Sequence, residues 1–233
     1  MNRIQVAQAA LDTFENPNYL EIGVCTGESF IPMRAKRKWG VDPGYIISWK
    51  RRLKYAVFSF LGIKTENLYR MTSDDFFEKK KDMLKSLGVH VCFVDGLHTY
   101  EQALRDVLNA LEDLKPGGII LMHDCNPITE AMALPAASIE AVSKADIPGW
   151  NGAWSGDVWK AVVHLRSLYN DLNVFTLDCD TGIGVVSRGK PQTCLTYSQS
   201  DIDLMDYSFF APRRKELLDL RSPEEFSGFL RAK

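Results

Sequence analysis

A chain of 233 residues, 45% hydrophobic and 25% charged, is long enough to bury a sizeable core, and its formal charge of −2 lacks the basic excess of a general nucleic-acid binder. Its five cysteines (Cys25, Cys92, Cys125, Cys179, Cys194) are odd in number and form no C-x-x-C pair, so they read as small apolar residues of a reducing compartment rather than a disulfide framework. The N-terminus lacks the apolar core of a signal peptide and no apolar run approaches transmembrane length, which predicts a soluble cytoplasmic protein with no stable membrane insertion.

In chain order, residues 1–17 hold an N-terminal helix, and residues 19–24 form an apolar strand closing on Gly23. A helix is expected over 28–37, and a short strand over 39–42 ends at Pro43-Gly44. A third strand covers 67–71, an acidic helix 74–87, a fourth strand 89–94 and a helix 100–114. Lys115-Pro-Gly-Gly118 reads as a turn before a fifth strand over 119–122. Residues 127–156, with three prolines, three glycines, Trp150 and Trp154, are too irregular for a simple crossover and suggest a lid. A helix over 157–169 leads to strands 174–177 and 183–187, joined by Asp178-Cys-Asp-Thr-Gly182, a hairpin-like turn. The tail, 190–233, reads as short helices. This βαβ succession predicts a Rossmann-like α/β fold: a doubly wound, mostly parallel sheet with an antiparallel terminal strand, in one domain over 1–233. Residues 46–64 mix Lys50, Arg51, Arg52 and Lys54 with Trp49, Tyr55, Phe58 and Phe60, and read either as a basic amphipathic helix or as a cover helix with one solvated end.

Two groups of residues carry chemistry. In Glu21-x-Gly23-x-x-x-Gly27-x-Ser29 a buried strand feeds a glycine turn, where a ligand can lie against bare backbone. Ligands of open parallel sheets bind beyond the carboxyl ends of the strands. Asp42 at the next strand end suits ribose hydroxyls, and Ser73 and Asp74 suit either an adenine amino group or the cap of the following helix. The second group joins Val94-Asp-Gly-Leu-His-Thr-Tyr100 to Met122-His-Asp-Cys-Asn-Pro127. Asp95, His98, His123, Asp124 and Asn126 supply oxygen and imidazole groups suited to Mg²⁺ or Mn²⁺, and His98 suits a general base. The other reading is that Asp95 and His98 only organise their loop while His123 packs under the lid. Trp150, Trp154 and Trp159 either stack on a sugar or aromatic acceptor or are buried by their own loop.

From about Tyr19 to Gly189 these motifs resemble the class I S-adenosylmethionine-dependent methyltransferases. Glu21-x-Gly23-x-x-x-Gly27 is similar to their first motif, Asp42 to the ribose-binding acid and Ser73-Asp74 to the adenine side. More narrowly, Val94-Asp-Gly-x-His-x-Tyr100, Asp106 and Leu114-Lys-Pro-Gly-Gly-x-x-x-x-His123-Asp124 resemble the macrocin O-methyltransferase and cephalosporin-hydroxylase-like group. The resemblance implies a seven-stranded sheet, S-adenosylmethionine as methyl donor and a saccharide or natural-product hydroxyl as acceptor. It implies His98 as base, Asp95 as a catalytic and cofactor-side acid, and Asp95 and Asp124 as metal ligands. His123 stands where many metal-dependent relatives carry an acid. Other readings remain open: methylation of a small aromatic hydroxyl, a nicotinamide-dependent dehydrogenase, or a non-catalytic nucleoside-binding protein. The N-terminal helix and the tail are candidate interface elements of a homo-oligomer.

Overall fold

The computed structural model describes residues 1–50, 66–145 and 147–232. Among the described residues eight strands hydrogen-bond in the order β3-β2-β1-β4-β5-β7-β6-β8. They are β1 (Asn18–Ile22), β2 (Arg37–Val41), β3 (Glu66–Tyr69), β4 (Val89–Val94), β5 (Leu114–Met122), β6 (Leu172–Leu177), β7 (Ile183–Arg188) and β8 (Leu220–Arg221). β1 is parallel to both β2 and β4, with Leu20 opposite Trp39 on one side and Cys92 on the other. All five β1 residues are buried, and the two polar ones, Asn18 and Glu21, are hydrogen-bonded within the protein. β6 and β7 form the expected antiparallel pair, from Leu172↔Arg188 to Leu177↔Ile183. The eighth strand, β8, is two residues long, lies parallel to β6 and adds to the seven anticipated.

The described residues pack as two compact units. One holds Asn2–Gly96 and Asp106–Ile120; the other holds Met1, Leu97–Arg105 and Leu121–Lys233. In the first, the start of β1 is pinned by Asn18, whose amide donates to the carbonyls of Leu87 (3.0 Å) and Gly88 (2.9 Å). In the second, the helix Trp159–Leu168 is buried along most of its length, and Trp159 packs on Phe210 with ring centroids 4.5 Å apart.

Several expected elements change. The helix over 28–37 does not form: residues 25–32 are bends and turns. Pro32 lacks the N–H a helix needs and would crowd the carbonyl of Glu28. The carbonyls of Phe30 and Ile31 are taken instead by the ammonium of Lys38, 3.1 Å from each and 1% exposed. The acidic helix divides into Ser73–Lys79 and Lys81–Leu87 at Lys80. Lys115-Pro-Gly-Gly118 is not a separate turn but lies inside β5, where Gly117 at φ +75° bends the strand. Most of the basic-aromatic segment 46–64 lies outside the described residues. Among the described residues no helix is long and apolar enough to cross a membrane.

Candidate active site

The turn after β1 is built around positions that need glycine. Gly23 sits at φ +89°, and a Cβ there would lie 1.8 Å from the carbonyl oxygen of Asp95, so the turn passes directly against the end of β4. The Gly23 N–H donates to Val41 (2.8 Å) and the Asp95 N–H to Ile22 (2.8 Å), tying the ends of β2, β1 and β4 together. Asp42 locks the turn from the next strand end: Oδ2 accepts the Cys25 N–H (2.7 Å) and Oδ1 the Gly44 N–H (2.6 Å). A carboxylate has about four lone-pair sites, so Asp42 keeps acceptor capacity beyond these two bonds. Gly27, at φ +76°, continues the turn with its N–H on Val24 (2.7 Å).

Glu21 faces inward and is 0% exposed. Its Oε1 accepts the hydroxyl of Ser29 (2.7 Å), and its Oε2 lies 2.5 Å from that of Tyr19. Burial pushes its carboxyl up to about 8, against the lowering effect of those two hydroxyls, with Asp95 raising it further and Lys38 opposing. Glu21 and Ser29, read in the sequence as cofactor contacts, thus form a closed polar group under the turn. Ser73 and Asp74 open the helix Ser73–Lys79, but its cap is Thr72, whose hydroxyl accepts the Asp75 N–H at 3.2 Å. The capping role expected of Ser73 or Asp74 therefore belongs to their neighbour, and Asp74 stays exposed. Asp95 pairs with Arg3 of the N-terminal helix at 3.5 Å, a partner the sequence reading did not assign.

In the unit containing residues 97–105, His98 meets Asp124 and Trp154. Nδ1 of His98 lies 2.8 Å from the Trp154 carbonyl oxygen, Nε2 lies 3.5 Å from Oδ2 of Asp124, and the His98 and Trp154 rings are 5.2 Å apart. Asp124, 6% exposed and at φ +60°, also takes the Ser155 hydroxyl on Oδ1 (2.9 Å) and faces Nδ1 of His123 with Oδ2 (2.9 Å). A carboxylate this buried requires such donors. The other nitrogen of His123 reaches Thr181 (3.3 Å) and Asp180 (3.6 Å), so both ring nitrogens are engaged within the protein. Asn126 spans Asp178 (3.2 Å) and Arg214 (3.3 Å).

Ser155, Asp180, Thr181 and Gly182 are the residues of this cluster that sequence reasoning missed as site residues. The turn 178–182 had been read only as a hairpin, yet it docks on the loop after β5: Cys125 and Asn126 N–H groups donate to Gly182 (3.1 Å) and Thr181 (2.8 Å). Gly182 must be glycine, because at φ +88° a Cβ would lie 2.5 Å from the Asn126 backbone nitrogen. Trp154 is 8% exposed and donates its indole N–H to Leu134 (2.8 Å), so segment 127–156 buries it; Trp159 is buried as well.

Residues 20–125 match the model of a family described as a methyltransferase domain. The chain is 28% identical over 121 residues to the uncharacterized protein R132 of Acanthamoeba polyphaga mimivirus, an alignment covering 48% of this chain and 54% of that protein. The chain thus spans about half the length of that curated relative. Among solved structures it is similar to the O-methyltransferase from Bacillus cereus in complex with SAH (TM-score 0.50, 13% identity, 81% of this chain and 82% of that one). It is also similar to the SAH-bound Podospora anserina methyltransferase PaMTH1 (TM-score 0.48, 18% identity, 82% and 80%). The Bacillus likeness shows a Rossmann-like α/β fold, and the match to the methyltransferase-domain model covers residues 20–125, the β1–β5 part of that fold.

Proposed function

We propose that this chain transfers a methyl group from S-adenosylmethionine to a hydroxyl of a saccharide or natural product, with His98 as general base. One observation carries the reading: Nδ1 of His98 lies 2.8 Å from the Trp154 carbonyl oxygen, which only accepts, so in the neutral ring Nδ1 holds the hydrogen and Nε2 the lone pair. A neutral imidazole so arranged accepts a hydroxyl proton near neutral pH, and Asp124, 3.5 Å from Nε2, stabilises the imidazolium that results.

The donor fits the residues at the turn. Gly23 lets the turn pass directly against the Asp95 main chain and so sets its course, and Asp42 retains acceptor capacity for vicinal ribose hydroxyls. When bound, the cofactor supplies a methyl group already activated by its sulfonium. The chain's own work is to align the acceptor oxygen, take its proton at His98 and exclude water with segment 127–156. Ser73 and Asp74 serve the adenine side in this reading, while Glu21 and Ser29 support the turn from below. A divalent cation, Mg²⁺ or Mn²⁺, would be held by carboxylate oxygens, Asp124 foremost, and would stabilise alkoxide character on the acceptor. Asp95 is the further carboxylate the sequence assigns to it. His123, with both nitrogens engaged, braces Asp124 instead of ligating.

The test is transfer of labelled methyl from S-adenosylmethionine across a panel of sugar, natural-product and phenolic hydroxyls, with and without chelator. Transfer to a sugar or natural-product hydroxyl, lost in His98→Ala, is the expected result. Transfer to phenols alone would reassign the acceptor, and full turnover by His98→Ala would remove the base.

A further inference from the structure

Residues 154–156 contact the His98–Asp124 pair, and Asp157 contacts the helix that follows His98. Trp154 offers its carbonyl to Nδ1 of His98 at 2.8 Å and lays its ring 5.2 Å from the imidazole at an interplanar angle of 30°. Ser155, 0% exposed, gives its hydroxyl to Oδ1 of Asp124 at 2.9 Å. Gly156, at φ +58°, runs so close to the main chain of His98 that a Cβ would lie 1.8 Å from the His98 carbonyl oxygen. Asp157 accepts the N–H of Tyr100 at 2.7 Å and so holds the first turn of the helix Tyr100–Glu112, two residues after His98. Four consecutive residues thus contact the imidazole, the carboxylate, the His98 backbone and the helix that follows.

The strap is itself anchored from behind. The N–H groups of Ser155 and Gly156 both donate to the Met132 carbonyl, at 2.9 and 3.0 Å, and the Trp154 indole donates to the Leu134 carbonyl at 2.8 Å. Each anchor lies on segment 127–156, so the part of the chain read as a lid is fastened to the same strap.

We infer that Trp154–Asp157 is the positioning element of the active site: the Trp154 carbonyl fixes His98 as its Nδ1–H tautomer, with Nε2 the working nitrogen, and Ser155 aims Asp124 at that nitrogen. A carbonyl oxygen only accepts, so the nitrogen 2.8 Å from it carries the hydrogen. The Nδ1–H form is the minor tautomer of a free histidine side chain in water, which makes it a distinctive signature. Ser155 occupies one oxygen of Asp124 and leaves Oδ2 facing the two imidazoles of His98 and His123. Without that hydroxyl Oδ1 loses its donor and the orientation of the carboxylate rests on the Oδ2 side, and misplacement of a group by about 1 Å is enough to cost on the order of 100-fold in rate.

The inference rests on His98 being the base, and the experiment separates the two. In the full-length protein labelled with ¹⁵N-histidine, with His98 assigned by comparison with His98→Gln, NMR is expected to show a protonated Nδ1 and an unprotonated Nε2 in the neutral ring. Ser155→Ala is expected to lower kcat about 10- to 100-fold. Its KM for the acceptor and Kd for S-adenosylmethionine should stay within about twofold of the parent, a split that general loosening of the fold would not produce. An Nε2–H tautomer, or a Ser155→Ala enzyme as fast as the parent while His98→Ala is inactive, overturns the strap and leaves the base assignment standing. Full activity in His98→Ala sinks the base assignment and the strap's catalytic role with it.

Discussion

Glu21→Gln offers a quantitative test of the core beneath the glycine turn. The Glu21 carboxyl is fully buried, and burial raises it from 4.5 to about 8 despite the hydroxyls of Tyr19 and Ser29. In the unfolded chain it ionises near 4.5, so between that value and 8 the folded state holds a proton the unfolded state has released. Stability from this site is complete at low pH and is lost as pH climbs through the window, by about 1.4 kcal/mol per unit. At pH 7 the loss amounts to about 3 kcal/mol. Glutamine reproduces the neutral acid: its amide donates towards Tyr19 while its oxygen accepts from Ser29, and it has no proton to lose. Altered hydrogen bonding costs the variant about 1 kcal/mol at any pH. Urea unfolding of both proteins at intervals from pH 5 to pH 8 should therefore show the variant gaining on the parent with each unit, and more stable than it by pH 7. A stability difference that stays flat across that range would mean Glu21 is ionised in the fold, and the reasoning would fail.

Three further outcomes follow from the geometry. Asp42→Ala strips the acceptor from two backbone N–H groups and from the proposed ribose site; it should cost about 2 kcal/mol in stability and weaken S-adenosylmethionine binding at least tenfold by calorimetry, and unchanged affinity would end the ribose assignment. Gly23→Ala forces a Cβ to 1.8 Å from the Asp95 carbonyl at φ +89°, so a loss above about 4 kcal/mol is expected, and thermal unfolding within about 2 °C of the parent would contradict it. His98→Ala should cut turnover by about 10²- to 10⁴-fold with cofactor affinity preserved, as stopped-time transfer assays and calorimetry would show together.

The parts of the fold visible in the sequence are those whose causes are local. β4 begins and ends where its apolar run predicts, between Gly88 and Asp95, because a strand buried on both sides needs nothing beyond its own residues and two breakers. The helix over 28–37 fails partly for a local reason, Pro32, and partly for a non-local one: the carbonyls of Phe30 and Ile31 are claimed by Lys38, whose strand β2 pairs with β1. β8 is two residues long, too short to show any alternation. Glu21 was legible in principle. Tyr19 and Glu21 lie two apart on a strand and so on one face, and that period-two relation marks a hydroxyl–carboxyl pair before any ligand is invoked.

The candidate site divides along the same line. Gly23, Asp42, His98 and Asp124 stand out because their chemistry needs a particular residue at a particular strand end. The sequence offers His123 as a metal ligand, but it does not show that Asp180 and Thr181, which lie against its outer nitrogen, arrive from a distant turn. The protonation geometry of His98 is more hidden still. It is set by the main-chain carbonyl of Trp154, which a residue of any type would supply, so no letter of the sequence marks it. What the sequence does retain is the backbone requirement that brings the carbonyl there. Gly156, at φ +58°, leaves no room for a Cβ beside the His98 carbonyl, and that requirement ties the strap to His98, the proposed base.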